Sequence, residues 1–71
     1  MTAPLPPYLA IAAALRTEIE SGALAKGDRL PSANELANRF ETTNATAYKA
    51  VKVLQAEGLV VSVRGWATFV A

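Results

Sequence analysis

The 71-residue sequence predicts a small α+β domain in which three helices precede a two-stranded β-hairpin. Three observations carry that expectation. Apolar residues recur at helical spacing in three segments, 7–22, 32–40 and 44–57, each bounded by a capping or stop residue. Two short β-rich runs, 59–63 and 67–70, follow them on either side of a glycine. The third is length: a chain this short buries only about 60% of the surface its unfolded form exposes, enough for one modest core and not two.

Composition removes several functions at once. There is no Cys and no His, which leaves no disulfide framework, no thiolate metal site and no histidine base. The six carboxylates, Glu18, Glu20, Asp28, Glu35, Glu41 and Glu57, form no close pair suited to acid–base chemistry. No catalytic residue, metal or cofactor is therefore expected, and the protein is not expected to be an enzyme. Seven Lys and Arg against six Asp and Glu leave a net charge of +1. Its distribution says more. Arg16, Lys26 and Arg29 face Glu18, Glu20, Asp28 and Glu35 in the first 38 residues; Arg39, Lys49, Lys52 and Arg64 face only Glu41 and Glu57 after them. The second half tilts mildly towards a polyanionic partner.

In the first helix, Tyr8, Ala12, Leu15 and Ile19 fall at spacings of four, three and four, with Ile11 beside them, and Arg16, Thr17, Glu18 and Glu20 bracket the stripe. Pro7 suits the first helical position and Gly22 the left-handed position just past the end. Residues 1–6, with prolines at 4 and 6, are expected to form a flexible leader to a domain spanning 7–71. A secretory signal does not fit, because no Lys or Arg precedes the apolar run from Tyr8 to Leu15 and Arg16 follows at once. No apolar stretch reaches the roughly 20 residues a bilayer requires. The expectation is a soluble, cytoplasmic protein with no membrane partner.

Ala23 to Arg29 reads as a connection with a turn at Lys26-Gly27-Asp28, anchored by Leu24 and Leu30. Leu30-Pro31 ends any extended segment there. Ser32, followed three residues later by Glu35, predicts a capping box at the start of a short second helix with Leu36 and Phe40 inward and Asn34, Asn38 and Arg39 outward. After the corner Glu41-Thr42-Thr43, a third helix is expected over about 44–57. Its N-cap is Thr43, with Thr42 the competing choice, and Gly58 stops it. Ala47, Ala50, Val51 and Leu54 make its inner stripe; Asn44, Thr46, Tyr48, Lys49, Lys52 and Gln55 face out. The runs Leu59–Val63 and Ala67–Val70 then form a hairpin around Arg64-Gly65-Trp66, with alternate residues among Leu59, Val61, Val63 and Phe69 turned inward. Two helices joined by a tight corner and followed by a hairpin make a winged helix-turn-helix, whose third helix is shaped to enter a major groove.

Leu30-Pro31-Ser32, Glu35-Leu36-Ala37, the stretch Ala50 to Leu54, Glu57-Gly58-Leu59-Val60, Gly65 and Thr68-Phe69-Val70 resemble, in that order and spacing, the N-terminal domain of GntR-type repressors. The likeness runs from about Tyr8 to Val70. It implies a winged helix that binds operator DNA as a dimer on a pseudo-palindrome, with helix 44–57 in the major groove and wing 59–70 on the backbone or in the minor groove. The family's C-terminal effector and dimerisation domain has no counterpart in these residues, so no small-molecule effector is expected. Against the family pattern, Asn34, Asn44 and Tyr48 stand where arginines are usual, and Ala67 replaces a wing glycine.

The candidate DNA contacts are Ser32, Asn34, Thr43, Asn44, Thr46, Tyr48, Lys49, Lys52, Arg64, Gly65 and Trp66. Arg pairs with guanine, whereas Asn pairs with N6 and N7 of adenine, so Asn44 and Asn34 shift the expected preference towards A·T pairs unless they serve only the backbone. Thr43 and Thr46 suit phosphate near the helix N-terminus, with simple capping the alternative for Thr43. Lys49, Lys52 and Arg64 are phosphate clamps or solvated charge. Three roles fit Trp66: packing on the first helix, lying against a sugar–phosphate edge, or touching another chain. Two other functions compete with operator binding: a protein-interaction winged helix that has lost DNA binding, and an architectural or recombination-directing DNA binder.

Overall fold

The computed structural model describes residues 5–71, so the first four residues of the expected leader lie outside the described residues. The elements run α1 (Pro7–Ser21), α2 (Ala33–Arg39), α3 (Asn44–Ala56), β1 (Val60–Val63) and β2 (Ala67–Val70). Each helix begins and ends where local chemistry dictates. Pro7 has no N–H to satisfy, and the Pro6 carbonyl accepts from the Leu9 and Ala10 N–H groups at 3.0 Å each. Gly22 closes α1 in the left-handed conformation, φ +87°. At α2 the capping box forms in full: the Glu35 N–H donates to Ser32 Oγ at 3.1 Å, and the Ser32 N–H donates to Glu35 Oε1 at 3.2 Å. Thr43, not Thr42, caps α3, its Oγ1 accepting from the Thr46 N–H at 3.2 Å. Glu57 is the residue after α3 rather than its last turn.

The core lies between the three helices and the base of the hairpin. Ile11, Ala12 and Leu15 from α1, Leu36 and Ala37 from α2, and Ala47, Ala50, Val51 and Leu54 from α3 are buried together with Leu30 and Val60. α1 and α2 both pack on α3. The three alanines on the shared faces of α1 and α3 (Ala12, Ala47 and Ala50) are fully buried, and small side chains of this kind permit close packing. Thus the inner stripe of α3 is spent on the core, which leaves its opposite face free.

The hairpin corrects one expectation. β1 and β2 pair antiparallel with Val60 opposite Val70 and Val61 opposite Phe69. Val60 (3% exposed) and Val70 (5%) face the helices, whereas Val61 (52%) and Val63 (40%) face outward. The expected parity is therefore inverted. With valine at 60, 61 and 63, alternation alone names no inner face. The choice is made at the strand's base, where the Leu59 N–H donates to the Leu54 carbonyl at 3.0 Å and leaves Val60 against α3. Leu59 itself still packs on the core.

A second feature was not expected. The connection after α1 runs along the free side of β2 as an edge strand of a single bridged residue, Arg29 opposite Phe69: Leu30 N–H donates to Thr68 O at 2.7 Å, Val70 N–H to Asp28 O at 2.9 Å, and Gly27 N–H to Val70 O at 2.9 Å. The wing's base is anchored on both sides, a support that a lone two-stranded hairpin lacks. Among the described residues no helix is long and apolar enough to cross a membrane.

Candidate nucleic-acid interface

The corner between α2 and α3 sets the interface. Glu41 takes φ +53°, a left-handed conformation that reverses the chain, and the Thr42 N–H reaches back to the Ala37 carbonyl at 2.9 Å. α3 then starts at Asn44, with Asn44, Tyr48, Lys49 and Lys52 all exposed and none covered by the hairpin. Tyr48 is 54% exposed. The Lys52 ammonium lies 5.2 Å from the Tyr48 ring centroid, one turn along the same helix. The Lys49 ammonium leans the other way, 5.4 Å over the ring of Tyr8 on α1. The two lysines stand three residues apart on the exposed face of α3, one leaning towards α1 and the other over Tyr48.

Thr43 and Thr46 are joined to each other, Thr43 Oγ1 donating to Thr46 Oγ1 at 3.0 Å as well as accepting from its N–H. The Thr43 hydroxyl is thereby committed to the cap, and half-buried Thr46 supports it. Asn34 is exposed near the start of α2. Arg64 and Gly65 form the wing's turn, where Gly65 holds φ +75° and the Trp66 N–H donates to the Val63 carbonyl at 3.0 Å. Trp66 is 78% exposed and stands edge-on to Phe69, ring centroids 5.0 Å apart. Of the three roles open to it, packing on α1 is not observed.

Ser32, Tyr48 and Trp66, which lie far apart in sequence, line one groove of about 270 Å³ between the start of α2, the α3 ridge and the wing. Residues absent from the sequence-based contacts line it too: Arg29, Gln55, Ser62 and Thr68. For Gln55 the signal was present, since it lies seven residues after Tyr48 and so on the same helical face. Ser62 and Thr68 are cross-strand partners on the inner face of the wing, legible only once the pairing parity is known. Arg29 reaches the groove through the edge strand, for which the sequence holds no local cue.

Charge is sorted by ion pairing. Arg16 holds Glu57 with two hydrogen bonds, Nε to Oε1 at 2.9 Å and NH2 to Oε2 at 2.6 Å, tying α1 to the end of α3. Those bonds hold the Glu57 carboxyl below the usual glutamate range and raise the Arg16 guanidinium. Arg39 grips Glu18 in the same two-point fashion, tying α2 to α1, and its pKa is likewise raised by that carboxylate. Arg29 is paired only loosely, 3.8 Å from Glu35. Glu35 is itself held low first by the Ser32 N–H and its hydroxyl, with Arg29 a minor influence. Lys26, Lys49, Lys52 and Arg64 are left with no carboxylate partner among the described residues. Three of these four lie on α3 and the wing tip.

A helix-turn-helix with a wing, its third helix uncovered and its unpaired cations gathered on that helix and the wing, is a winged-helix domain. Residues 7–70 match the gntR family of bacterial regulatory proteins, and the chain belongs to that family. Its members are regulators rather than enzymes. The chain is 39% identical over 70 residues to a histidine utilization repressor of Klebsiella aerogenes, covering 99% of this chain and 29% of that protein. It is 37% identical to the transcriptional repressor NagR of Bacillus subtilis over 68 residues, 96% of this chain and 28% of the relative. The chain thus spans less than a third of the length of these curated relatives. Among solved structures it superposes on the AraR DNA-binding domain in complex with operator ORX1 with TM-score 0.89 and 32% identity, covering 100% of this chain and 92% of that one. A GntR-family transcriptional regulator matches at TM-score 0.85 and 40% identity over 92% of this chain and 26% of that one.

Proposed function

We propose that residues 7–71 are the operator-binding unit of a transcriptional repressor acting in the cytoplasm. α3 enters the major groove of double-stranded DNA, and the wing rides the adjacent backbone or minor groove. The observation that carries this reading is the charge sorting: the pairing of Arg16 and Arg39 with carboxylates leaves Lys49, Lys52 and Arg64, around one exposed ridge, with no carboxylate partner among the described residues. Lys49, Lys52 and Arg64 meet phosphates on either side of that ridge. Asn44 and Tyr48 approach base edges, Thr46 a phosphate near the start of α3, Asn34 and Ser32 the flanking strand, Thr43 holds the start of α3 in register, and Gly65 with Trp66 brings the wing turn to the backbone. The AraR domain bound to its operator supports the same partner for this chain.

Three cations per copy make weak binding, so two copies on a pseudo-palindromic operator follow, with no small-molecule effector bound by these residues themselves. The arginines usual at three base- or phosphate-facing positions are Asn34, Asn44 and Tyr48 here, and asparagine at a base edge favours adenine. Selection of sites from random duplexes is expected to return A·T pairs at the half-site centres. A G-rich consensus there would refute the role given to Asn44, and retention of every duplex alike would favour an architectural binder.

A further inference from the structure

Arg29 belongs to none of the positions singled out from the sequence, yet the fold delivers it to the same groove as Tyr48 and Trp66. The edge strand that pairs with β2 carries it there, and its backbone bridge to Phe69 fixes where the side chain starts. Its pairing differs from that of the other two arginines bound to acids. Arg16 and Arg39 each make two hydrogen bonds to a carboxylate, whereas Arg29 approaches Glu35 only to 3.8 Å, with both side chains more than half exposed. Glu35 has a prior commitment, since its Oε1 accepts from the Ser32 N–H in the capping box. A guanidinium held by a long, exposed ion pair at the rim of a groove lined by two exposed aromatics is easily drawn to a stronger anion.

We propose that Arg29 is a further duplex-contacting cation, resting on Glu35 in the free protein and passing to a backbone phosphate that reaches the rim of the groove between α3 and the wing when α3 enters the major groove. This rests on the operator-binding reading above. It returns to the start of α2 a positive charge at the side of the interface where Asn34 supplies none. Glu35 then acts as a positioning residue: it keeps the guanidinium near the groove, and its charge competes with the phosphate for it.

The test is the salt dependence of binding to one selected duplex, followed by fluorescence anisotropy, for the parent chain and for Arg29→Gln, Arg29→Lys and Glu35→Gln. Removing one phosphate contact is expected to make the slope of log affinity against log salt shallower by about 0.9 per protomer and to weaken binding about eightfold at 0.1 M salt. Arg29→Lys keeps the parental slope. Glu35→Gln retains an oxygen for the Ser32 N–H and loses the competing charge, so it binds more tightly than the parent. A cooperative thermal transition with the parent's helical circular-dichroism signal shows that each variant is folded. A parental slope in folded Arg29→Gln, with the parent binding DNA, overturns this inference alone. Failure of the parent to bind any duplex at low salt overturns both it and the function it rests on.

Discussion

Replacing Lys49, Lys52 and Arg64 together by glutamine puts the interface to its most direct test. None of the three has a carboxylate partner among the described residues, so their substitution breaks no ion pair there. All three are exposed, so little packing is lost. Lys49 and Lys52 lie over tyrosine rings at 5.4 and 5.2 Å, contacts that orient an ammonium without neutralising it. If each cation displaces one counterion from a phosphate, the triple variant flattens the salt slope by about 2.7 per protomer, and by about 5.4 for a pair of copies on one operator. Between 50 and 200 mM salt the three contacts make the parent lose about 40-fold more affinity per protomer than the variant does. Anisotropy titrations at four or five salt concentrations measure this, with two controls. Arg16→Gln alters a cation already spent on Glu57 and is expected to leave the slope unchanged. Lys26→Gln removes a partnerless cation in the turn before the edge strand and is expected to do the same. Flattening by about 0.9 in Lys26→Gln, one cation's share of the triple variant's effect, would refute the reasoning, because binding would then follow overall charge rather than the α3 and wing surface.

Other consequences concern stability. Glu41 holds a left-handed backbone, which costs a side-chain-bearing residue about 1–2 kcal/mol, against roughly 0.5–1 kcal/mol for the extra freedom glycine loses on folding. Glu41→Gly is therefore expected to raise the melting temperature by about 4 °C, read by circular dichroism; a fall would show that the corner is not strained. Thr43→Ala removes the α3 cap and is expected to cost about 1 kcal/mol, while Thr43→Ser restores most of it; equal melts for the two variants would show that the hydroxyl does not cap. Glu57 and Glu35 are held below the usual glutamate range, by Arg16 and by Ser32 respectively. Their contribution is complete above about pH 4.3, where the unfolded chain is also ionised, and is lost as pH falls, because the unfolded state takes up protons first. Melting temperature should drop on acidification below that point, and less steeply in Glu57→Gln; an unchanged acid limb in that variant would dissociate Glu57 from it.

What the sequence determined by itself lies within a few residues of each signal. Ser32 with Glu35, Pro7 and Gly22 mark helix ends because capping satisfies backbone groups one turn away, the Thr42-Thr43 pair brackets the start of α3 to within a residue, and the stripe Ala47, Ala50, Val51, Leu54 marks the inner face of α3 by spacing alone. The outward ridge of Asn44, Tyr48, Lys49 and Lys52 follows as its complement. The tertiary structure decided everything that depends on partners distant in the chain. Which valine of the wing turns inward was settled by packing on α3, since 60, 61 and 63 offer the same side chain. Arg16 meets Glu57 across 41 residues and Arg39 meets Glu18 across 21. Nothing local to either arginine distinguishes it from Lys49 or Arg64, so the sorting of cations into spent and free exists only once the chain is folded. Arg29 joined the groove for the same reason: an edge strand finds its neighbour by backbone hydrogen bonds, which carry no trace in side-chain identity.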